Sequence, residues 1–287
     1  MLASYRSIFM NASEFKKKHI DAHAHLQFKD FDIDRDDVII RAQNEGIAII
    51  NAGSNAEDSQ NAVLLAEKYK ENVFACIGLH PGNTYISQYE GSKAEDFNYE
   101  YYKKLSKSDS VVGIGECGLD YFKLEGEIEK IKKTQNEIFI QQIELAQEVK
   151  KPLVIHCRDA YPDLIKIVNE NKEKFSQPPV IHFFVGNIDE ARQFLDLGFY
   201  FTFGGVITFL PKKNMANMYE EVVRFVPLDR ILTETDSPDV APVPYRGKRN
   251  ESFYVLEVEK KISEIKNVSQ EEASSQIMKN AHAVFGI

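Results

Sequence analysis

Histidine and carboxylate side chains occur at unusual positions along this chain. Besides His19, which begins the first short apolar run, five of the seven histidines lie on or directly after such runs, namely His23, His25, His80, His156 and His182. Glu116 and Asp236 each close a similar run. Burying such groups without partners costs several kcal/mol, so we expect them to lie together. Imidazoles and carboxylates are ligands for Zn²⁺, Mn²⁺ and Mg²⁺, so the set predicts a centre for two divalent ions, with a carboxylate between them.

The spacing of these residues predicts which of them point the same way. Residues i and i+2 of a strand share a face. Three such pairs occur here, namely His23 with His25, His156 with Arg158, and Glu234 with Asp236. Each pair therefore presents two polar side chains on one side of a predicted strand.

Eight apolar runs alternate with helical patterns along the chain. The runs are at 19–26, 47–53, 73–79, 111–117, 152–158, 179–184, 200–206 and 231–236. The helical patterns are at 35–46, 57–70, 97–107, 131–149, 161–173, 188–196, 213–224, 253–265 and 270–283. This order predicts an α/β fold, a parallel (β/α)₈ TIM barrel, with an open doubly wound sheet as the alternative. In a closed barrel the first and eighth strands are neighbours, which brings the His23–His25 pair beside Asp236.

No break in composition divides the chain, so we predict one barrel domain over 19–287, preceded by an N-terminal extension at 1–18. The long irregular segment 82–98 is either a lid or binding loop, or a tolerated insertion. The site itself is predicted at the carboxyl ends of the strands, where TIM barrels carry their chemistry.

Composition excludes some functions. The net charge is −9 and the pI is about 5.4, so nucleic acid or an anionic membrane is not bound through bulk positive charge. No apolar run is long enough to span a membrane, and no obligate protein partner is evident. Three widely spaced cysteines do not form a disulfide framework. We therefore expect a cytoplasmic protein, with a nuclear or organellar location left open.

Two further segments, 113–118 and 246–249, contain residue types that bind ligands in other proteins. Residues 113–118, GIGECG, match a dinucleotide-binding pattern in letters, but no helix follows directly and Glu116 would face the pyrophosphate. The basic cluster at 246–249, RGKR, follows the eighth predicted strand and would lie over the cavity. Arg158 is the stronger candidate for gripping a phosphate or carboxylate, since it shares a face with His156.

Several motifs, in this order and spacing, resemble those of the TatD family of metal-dependent deoxyribonucleases. They are DAHAHLQF (21–28), GLHPGN (78–83), GECGLDYF (115–122), HCRDA (156–160), HFFVGN (182–187) and ETDSPDVAPVPYRGKRNES (234–252). The resemblance extends from His19 onward. It implies a TIM-barrel hydrolase that cleaves phosphodiester bonds in DNA, an exonuclease preferring single strands, with two divalent metal ions (Mg²⁺, Mn²⁺ or Zn²⁺). Phe183 and Val185 depart from the family pattern, which usually has Cys and a small polar residue there.

The resemblance also implies roles for single residues. His23, His25 and Asp236 would hold one ion and His156 and His182 the other, with Glu116 bridging. In the hypothesis that follows, Asp236 accepts a proton, Glu116 and His80 also belong to the catalytic group, and Glu234 orients a ligand. The residues predicted to bind substrate are Arg158, Arg249 and Asn250.

Two other functions remain alternatives. An amidohydrolase-type enzyme would cleave a small ester, lactone or amide, but many of these use a carboxylated lysine where Glu116 stands. A scaffold that binds metal without catalysis is the second alternative. Since every predicted ligand is present, the sequence favours the nuclease.

Overall fold

The computed structural model describes residues 17–85, 94–210 and 218–287. Within them, eight parallel strands form one sheet in chain order. The strands are β1 (His19–Ala24), β2 (Ile47–Ala52), β3 (Val73–Ile77), β4 (Val111–Asp120), β5 (Leu153–Arg158), β6 (Val180–Ile181), β7 (Tyr200–Phe203) and β8 (Ile231–Thr233). Most are buried along their whole length, as their continuous apolar sequences predict.

The last strand returns to the first and brings the sheet to near closure. The Thr233 hydroxyl donates to the Ile20 carbonyl at 2.6 Å. Beyond β8, the Asp236 N–H donates to the His23 carbonyl at 2.9 Å, and the His25 N–H donates to the Ser237 carbonyl at 2.8 Å. These contacts confirm the predicted TIM barrel and place the segment after β8 beside β1.

Helices follow the strands. They are α1 (Arg35–Asn44), α2 (Ala56–Tyr69), α3 (Tyr99–Leu105), α4 (Ile128–Val149), α5 (Tyr161–Glu170), α6 (Ile188–Asp196), α7 (Met218–Phe225), α8 (Val255–Lys266) and α9 (Gln270–Phe285). Polar residues cap several of them: the Asn55, Asn187 and Ser269 side chains accept first-turn N–H groups of α2, α6 and α9.

In the described part of the chain, the apolar side chains form two buried clusters. The larger one packs the helices against the outside of the sheet. The smaller one takes at least one side chain from every strand, as the interior of a barrel requires, and adds Ile277, Ala281 and Phe285 of α9. Helix α9 therefore closes the end at which the strands begin and leaves the opposite end for polar residues.

Some strand boundaries differ from the predictions. Strand β6 ends at Ile181 and β8 at Thr233, so His182 and Asp236 follow their strands. The chain leaves the sheet there because Phe183 (φ 45°) and Asp236 (φ 57°) adopt left-handed conformations. Strand β4 instead continues to Asp120, three residues beyond the predicted end at 117.

Irregular pairing occurs in the two strands that carry the central polar groups. Between Asp21 and Ala24, β1 advances three residues while β2 advances two. Between Ile114 and Cys117, β4 makes the same extra step relative to β5. An extra residue of this kind re-aims the side chains near it. His23 and Glu116 lie within these two irregular segments.

Some predictions fall wholly or partly outside the described residues. Positions 1–16 of the predicted extension, 86–93 of the long segment, and 213–217 of one predicted helix are among them. The division into an extension and a barrel domain stays a prediction. In the described part of the chain, no helix has the length and apolar character needed to cross a membrane.

Candidate metal centre

Polar side chains from several strands converge at the carboxyl end of the barrel. The predicted ligands that meet there are His23, His25, Glu116, His156, His182 and Asp236. Among the described residues, groups of three that could hold a cation include one of His23, His25 and Asp236 and one of Glu116, His156 and His182. We call His23, His25 and Asp236 the His23 set. We call His156 and His182, without Glu116, the His156 set.

Glu116 lies between the two sets and turns one carboxylate oxygen to each. Its Oε2 is 3.4 Å from His23 Nε2 and 3.8 Å from His25 Nε2. Its Oε1 is 2.9 Å from His156 Nδ1 and 3.2 Å from His182 Nε2. A carboxylate divided in this way has the arrangement expected of a group that bridges two ions.

The His23 set has the spacing of ligands around one small cation. Two nitrogens bound to a tetrahedral Zn²⁺ at about 2.0–2.1 Å lie about 3.3 Å apart. His23 Nε2 and His25 Nε2 are 3.2 Å apart. Asp236 Oδ1 is 3.4 Å from His25 Nε2 and 3.9 Å from His23 Nε2. The donors present therefore fit a divalent ion.

In the His156 set, the second nitrogen of each ring faces another carboxylate. His156 Nε2 lies 3.1 Å from Asp120 Oδ2. His182 Nδ1 lies 3.0 Å from Glu234 Oε2. A carboxylate behind an imidazole fixes its tautomer and orientation and makes it a stronger metal donor. Glu234 thus contacts a predicted ligand, and its orienting role stays a prediction.

Asp120 is a residue of the centre that the sequence predictions missed. It is 4% exposed and stands at the end of β4, where its Oδ1 accepts the Phe122 N–H. The signal was present in the sequence, because Asp120 follows Glu116 by four residues and such positions share a face of a strand. Because the strand was predicted to end at 117, Asp120 was not included in the predicted site.

His80 presents a different atom to the centre from the other histidines. Its Nδ1 accepts the Gly82 N–H at 3.0 Å, so in the neutral ring the proton is on Nε2. That Nε2 faces Glu116 Oε1 at 3.5 Å. Burial lowers the pKa of His80 to about 4, which keeps the ring neutral. His80 therefore offers an N–H donor to the cavity.

The carboxylates and imidazoles of the centre shift each other's pKa. Burial by itself would raise the pKa of Glu116, but His80, His182 and the other imidazoles hold it well below its usual range. Burial opposes protonation of His156, yet its two carboxylate partners raise its pKa to about 9. The Asp236 pKa is lowered to about 2, because the His25 hydrogen bond and nearby imidazoles outweigh burial.

Arg158 lies at the rim of the centre. It ends β5, two residues after His156, and its side chain is exposed. The guanidinium carbon stands 3.4 Å from the centroid of the Phe122 ring. A cation stacked on an aromatic ring is held in place while its N–H groups still face outward. A substrate anion could therefore reach it.

The other two predicted substrate-binding residues contact protein groups. Arg249 donates to both carboxylate oxygens of Asp34 at 2.7 Å. The buried Asn250 amide donates to the Thr235 and Asp239 carbonyls at 2.8 and 2.7 Å. Asn250 thus holds the backbone in place on both sides of Asp236. Binding of substrate by Arg249 and Asn250 stays a prediction.

Comparison with known proteins relates this chain to metal-dependent hydrolases. Residues 20–286 match the family described as TatD related DNase. The Bacillus subtilis protein named uncharacterized metal-dependent hydrolase YabD is 38% identical over 268 residues, 93% of this chain and 98% of the relative. The Pectobacterium atrosepticum protein named 3'-5' ssDNA/RNA exonuclease TatD is 30% identical over 272 residues, 92% of this chain and 98% of the relative.

A solved structure agrees as well. The crystal structure of YJJV, a TatD homolog from Escherichia coli K12, superposes with a TM-score of 0.82 at 27% sequence identity. The match covers 94% of this chain and 99% of that one. The structural comparison and the sequence comparison thus indicate the same family. The chain belongs to the TatD-related DNase family of metal-dependent hydrolases.

Proposed function

We propose that this protein is a metal-dependent nuclease that removes nucleotides from the ends of single-stranded DNA. The observation that carries the proposal is the division of Glu116 between two imidazole sets, with Oε2 toward His23 and Oε1 toward His156 and His182. Centres for two ions suit in-line displacement at phosphorus. The ssDNA/RNA exonuclease named among the relatives supports the same substrate class.

In this proposal, the His23 set together with Glu116 would hold one divalent ion, and the His156 set together with Glu116 would hold the second. Such ions supply Lewis acidity, which lowers the pKa of a bound water and neutralises charge on a phosphoryl group. Asp120 and Glu234 keep the two rings of the His156 set oriented. Asn250 keeps the segment around Asp236 in place.

Three further residues act on the substrate. Asp236 accepts the proton of the attacking water, because it is the most exposed carboxylate of the centre, with 24% of its side chain accessible against 6% for Glu116. Arg158 neutralises a non-bridging phosphate oxygen. His80 directs its Nε2–H to an oxygen of the phosphate or of the leaving group.

The acidic surface is compatible with a strand end as substrate. The net charge of −9 does not favour binding of a long duplex backbone through bulk positive charge. An enzyme that grips one or two phosphates needs few cationic contacts. Its affinity for DNA should therefore depend only weakly on salt. The slope of the logarithm of affinity against the logarithm of salt concentration should be that expected for one or two neutralised phosphates.

The test uses protein dialysed against a chelator and then given Mg²⁺, Mn²⁺ or Zn²⁺ in separate samples. Each sample receives single-stranded DNA labelled at one end, and the products are resolved by size over time. We expect a metal-dependent ladder that shortens from one end and is absent with His156→Ala. The same samples receive RNA, duplex DNA, p-nitrophenyl acetate and a set of lactones.

The outcomes separate the proposed function from its rivals. Fragments of internal lengths at the earliest times would exclude an exonuclease while keeping a nuclease. Intact nucleic acid together with metal-dependent turnover of an ester or lactone would replace the proposal with small-molecule hydrolysis. Bound metal without turnover of any substrate would favour the scaffold.

A further inference from the structure

We propose that Phe183 is a specificity-determining residue whose ring stacks on the base of the nucleotide at the scissile phosphate. This inference rests on the nuclease function proposed above and deepens it. It predicts that the enzyme recognises an unpaired base by its aromatic face, irrespective of the base's identity. The substrate class is thereby narrowed to single-stranded nucleic acid with an intact base at the cleaved position.

Phe183 is placed directly beside the centre. It follows His182 in the chain, and the two ring centroids are 5.9 Å apart at an angle of 52°. The Phe183 side chain is half-buried, so part of this apolar ring is accessible to solvent. A nucleotide whose phosphate is held near His182 would have its base within reach of this ring.

The protein makes room for this ring at a glycine on the neighbouring segment. A Cβ atom on Gly204, directly after β7, would lie 2.6 Å from Cε2 and 3.0 Å from Cδ2 of Phe183. Any other residue at 204 would therefore push the ring from its place. The ring is seated against the backbone on one side rather than left free on the surface.

The backbone of Phe183 is also held in an unfavourable conformation. Its φ of 45° is in the left-handed region, which a bulky side chain rarely adopts. The Phe183 N–H donates to the Thr202 hydroxyl at 2.8 Å, which fixes this conformation. Backbone strain of this kind concentrates at functional sites. Here it places an aromatic ring, rather than a backbone group, next to a ligand of the centre.

Stacking is the interaction that such a ring offers to a nucleotide. Every base has an aromatic face, so stacking tolerates any sequence, and loss of one stacked base weakens binding about 5- to 150-fold. A base paired in a duplex has both faces covered by its neighbours. The ring therefore favours single strands over duplexes without reading base edges.

The experiment compares oligonucleotides that carry a base or an abasic residue at each of the last three positions of either end. Binding is measured by fluorescence anisotropy in chelator, and cleavage is measured with the active metal. We expect Phe183→Ala to weaken binding and raise KM about 5- to 150-fold on the intact strand, with a smaller change in kcat. With an abasic residue at the sensitive position, the two proteins should become equal. Phe183→Tyr should restore tight binding, and Phe183→Leu should not.

Two further variants separate stacking from a general loss of structure. Gly204→Ala leaves Phe183 intact but displaces its ring, so it should reproduce part of the loss on intact strands. Phe175→Ala removes another half-buried phenylalanine, just before β6 at the opposite end of the barrel, and should leave binding unchanged. Equal losses on intact and abasic strands would overturn the inference.

The failure of this inference is distinguishable from failure of the nuclease proposal. Cleavage by the parent protein with no difference for Phe183→Ala would reject stacking and keep the nuclease. A base-dependent binding difference without cleavage would keep stacking and reject the nuclease. If the parent protein neither binds nor cleaves these strands, both are rejected.

Discussion

The two ligand sets around Glu116 differ in what lies behind their imidazoles. In the His23 set, His25 donates its Nδ1–H to the Ala52 carbonyl at 2.8 Å, and the buried His23 Nδ1 has no hydrogen-bond partner among the described residues. In the His156 set, both rings have a carboxylate behind them, Asp120 for His156 and Glu234 for His182. Among the described residues, each ring of the His156 set therefore has a carboxylate hydrogen-bonded to its second nitrogen, and neither ring of the His23 set does.

This difference predicts different behaviour without metal. Carboxylates on both sides hold His156 in its protonated form, which is why its pKa rises to about 9 although burial opposes this. The pKa of His182 is likewise raised well above its usual value, whereas burial lowers that of His23. The His156 set is thus held together by its own charges and must release protons to bind an ion. In the His23 set, His23 favours its neutral form, whereas His25 does not: burial opposes its protonation, but the Asp236 hydrogen bond and the Asp236 and Glu116 charges raise its pKa.

The largest effect is expected from removing the residue that the two sets share. Glu116→Ala deletes the oxygens that face both sets and leaves the imidazoles without their common anion. We expect a loss of several kcal/mol of transition-state stabilisation, on the order of 10³-fold or more in kcat/KM. The activity is measured on end-labelled single-stranded DNA, and metal content by atomic emission.

The number of ions bound by the Glu116→Ala variant tests whether Glu116 bridges two ions. A bridging role requires that less than two equivalents of ion remain in Glu116→Ala. Full activity with two bound ions would exclude bridging. Circular dichroism of the variant checks that the barrel is still folded.

The pH dependence should separate metal-free from metal-loaded protein. A folded His156 pKa of about 9 against 6.5 unfolded corresponds to as much as about 3 kcal/mol. Because the folded pKa is the higher one, this stabilisation is complete below pH 6.5 and is lost as the pH rises through 9. Metal ions require deprotonated rings, so their contribution grows over the same range.

Thermal unfolding in chelator and with two equivalents of Zn²⁺ measures this contrast. We expect the Tm difference between the two samples to widen from pH 6.5 to 9. The rest of the chain titrates in both samples, so the difference isolates the centre. A Tm difference that stays constant or narrows would contradict protonated rings in the metal-free His156 set.

The difference between the two ligand sets is tested by removing the charge of Asp120, the carboxylate that contacts His156 Nε2. Asp120→Asn keeps an oxygen for the Phe122 N–H but removes the charge behind His156. Losses of this kind typically cost 10- to 100-fold in metal affinity or activity. We expect that range for one of the two ions, measured by titration calorimetry, with the other ion little affected.

Glu259→Gln is the matched control for this variant. Glu259 also pairs with a histidine, at 2.9 Å from His19 Nδ1, but at the opposite end of the barrel. It should leave metal affinity unchanged. If Asp120→Asn behaved in the same way, the carboxylate behind His156 would have no part in metal binding.

The sequence predicted the barrel and the convergence of the ligands because both follow from periodicity. Continuous apolar runs require burial on both faces, and parallel strands bring their carboxyl ends to one side. His23 and His156 could therefore be placed together without knowing any contact between them. The match to family motifs then added the division of the ligands between two ions.

What the sequence did not predict depends on local departures from that periodicity. The extra residues in β1 and β4 change which side chains point inward after Asp21 and Ile114. The extension of β4 to Asp120 and the left-handed backbone of Phe183 follow from contacts with neighbouring segments. Such contacts join residues far apart in the chain. A local pattern such as the four-residue spacing of Glu116 and Asp120 therefore indicates a candidate side chain but not where the strand ends.

The smallest effect is expected at the rim, where two arginines have different surroundings. Arg158 is exposed and stacked on Phe122, whereas Arg249 is paired with Asp34 and Glu251. Arg158→Ala should raise KM about tenfold, leave kcat nearly unchanged and reduce the salt slope by about 1, because it removes one phosphate contact. Arg249→Ala should lower stability by about 1 kcal/mol, with a smaller change in KM. Steady-state kinetics at several salt concentrations distinguish the two, and an equal rise in KM would place both arginines on the substrate.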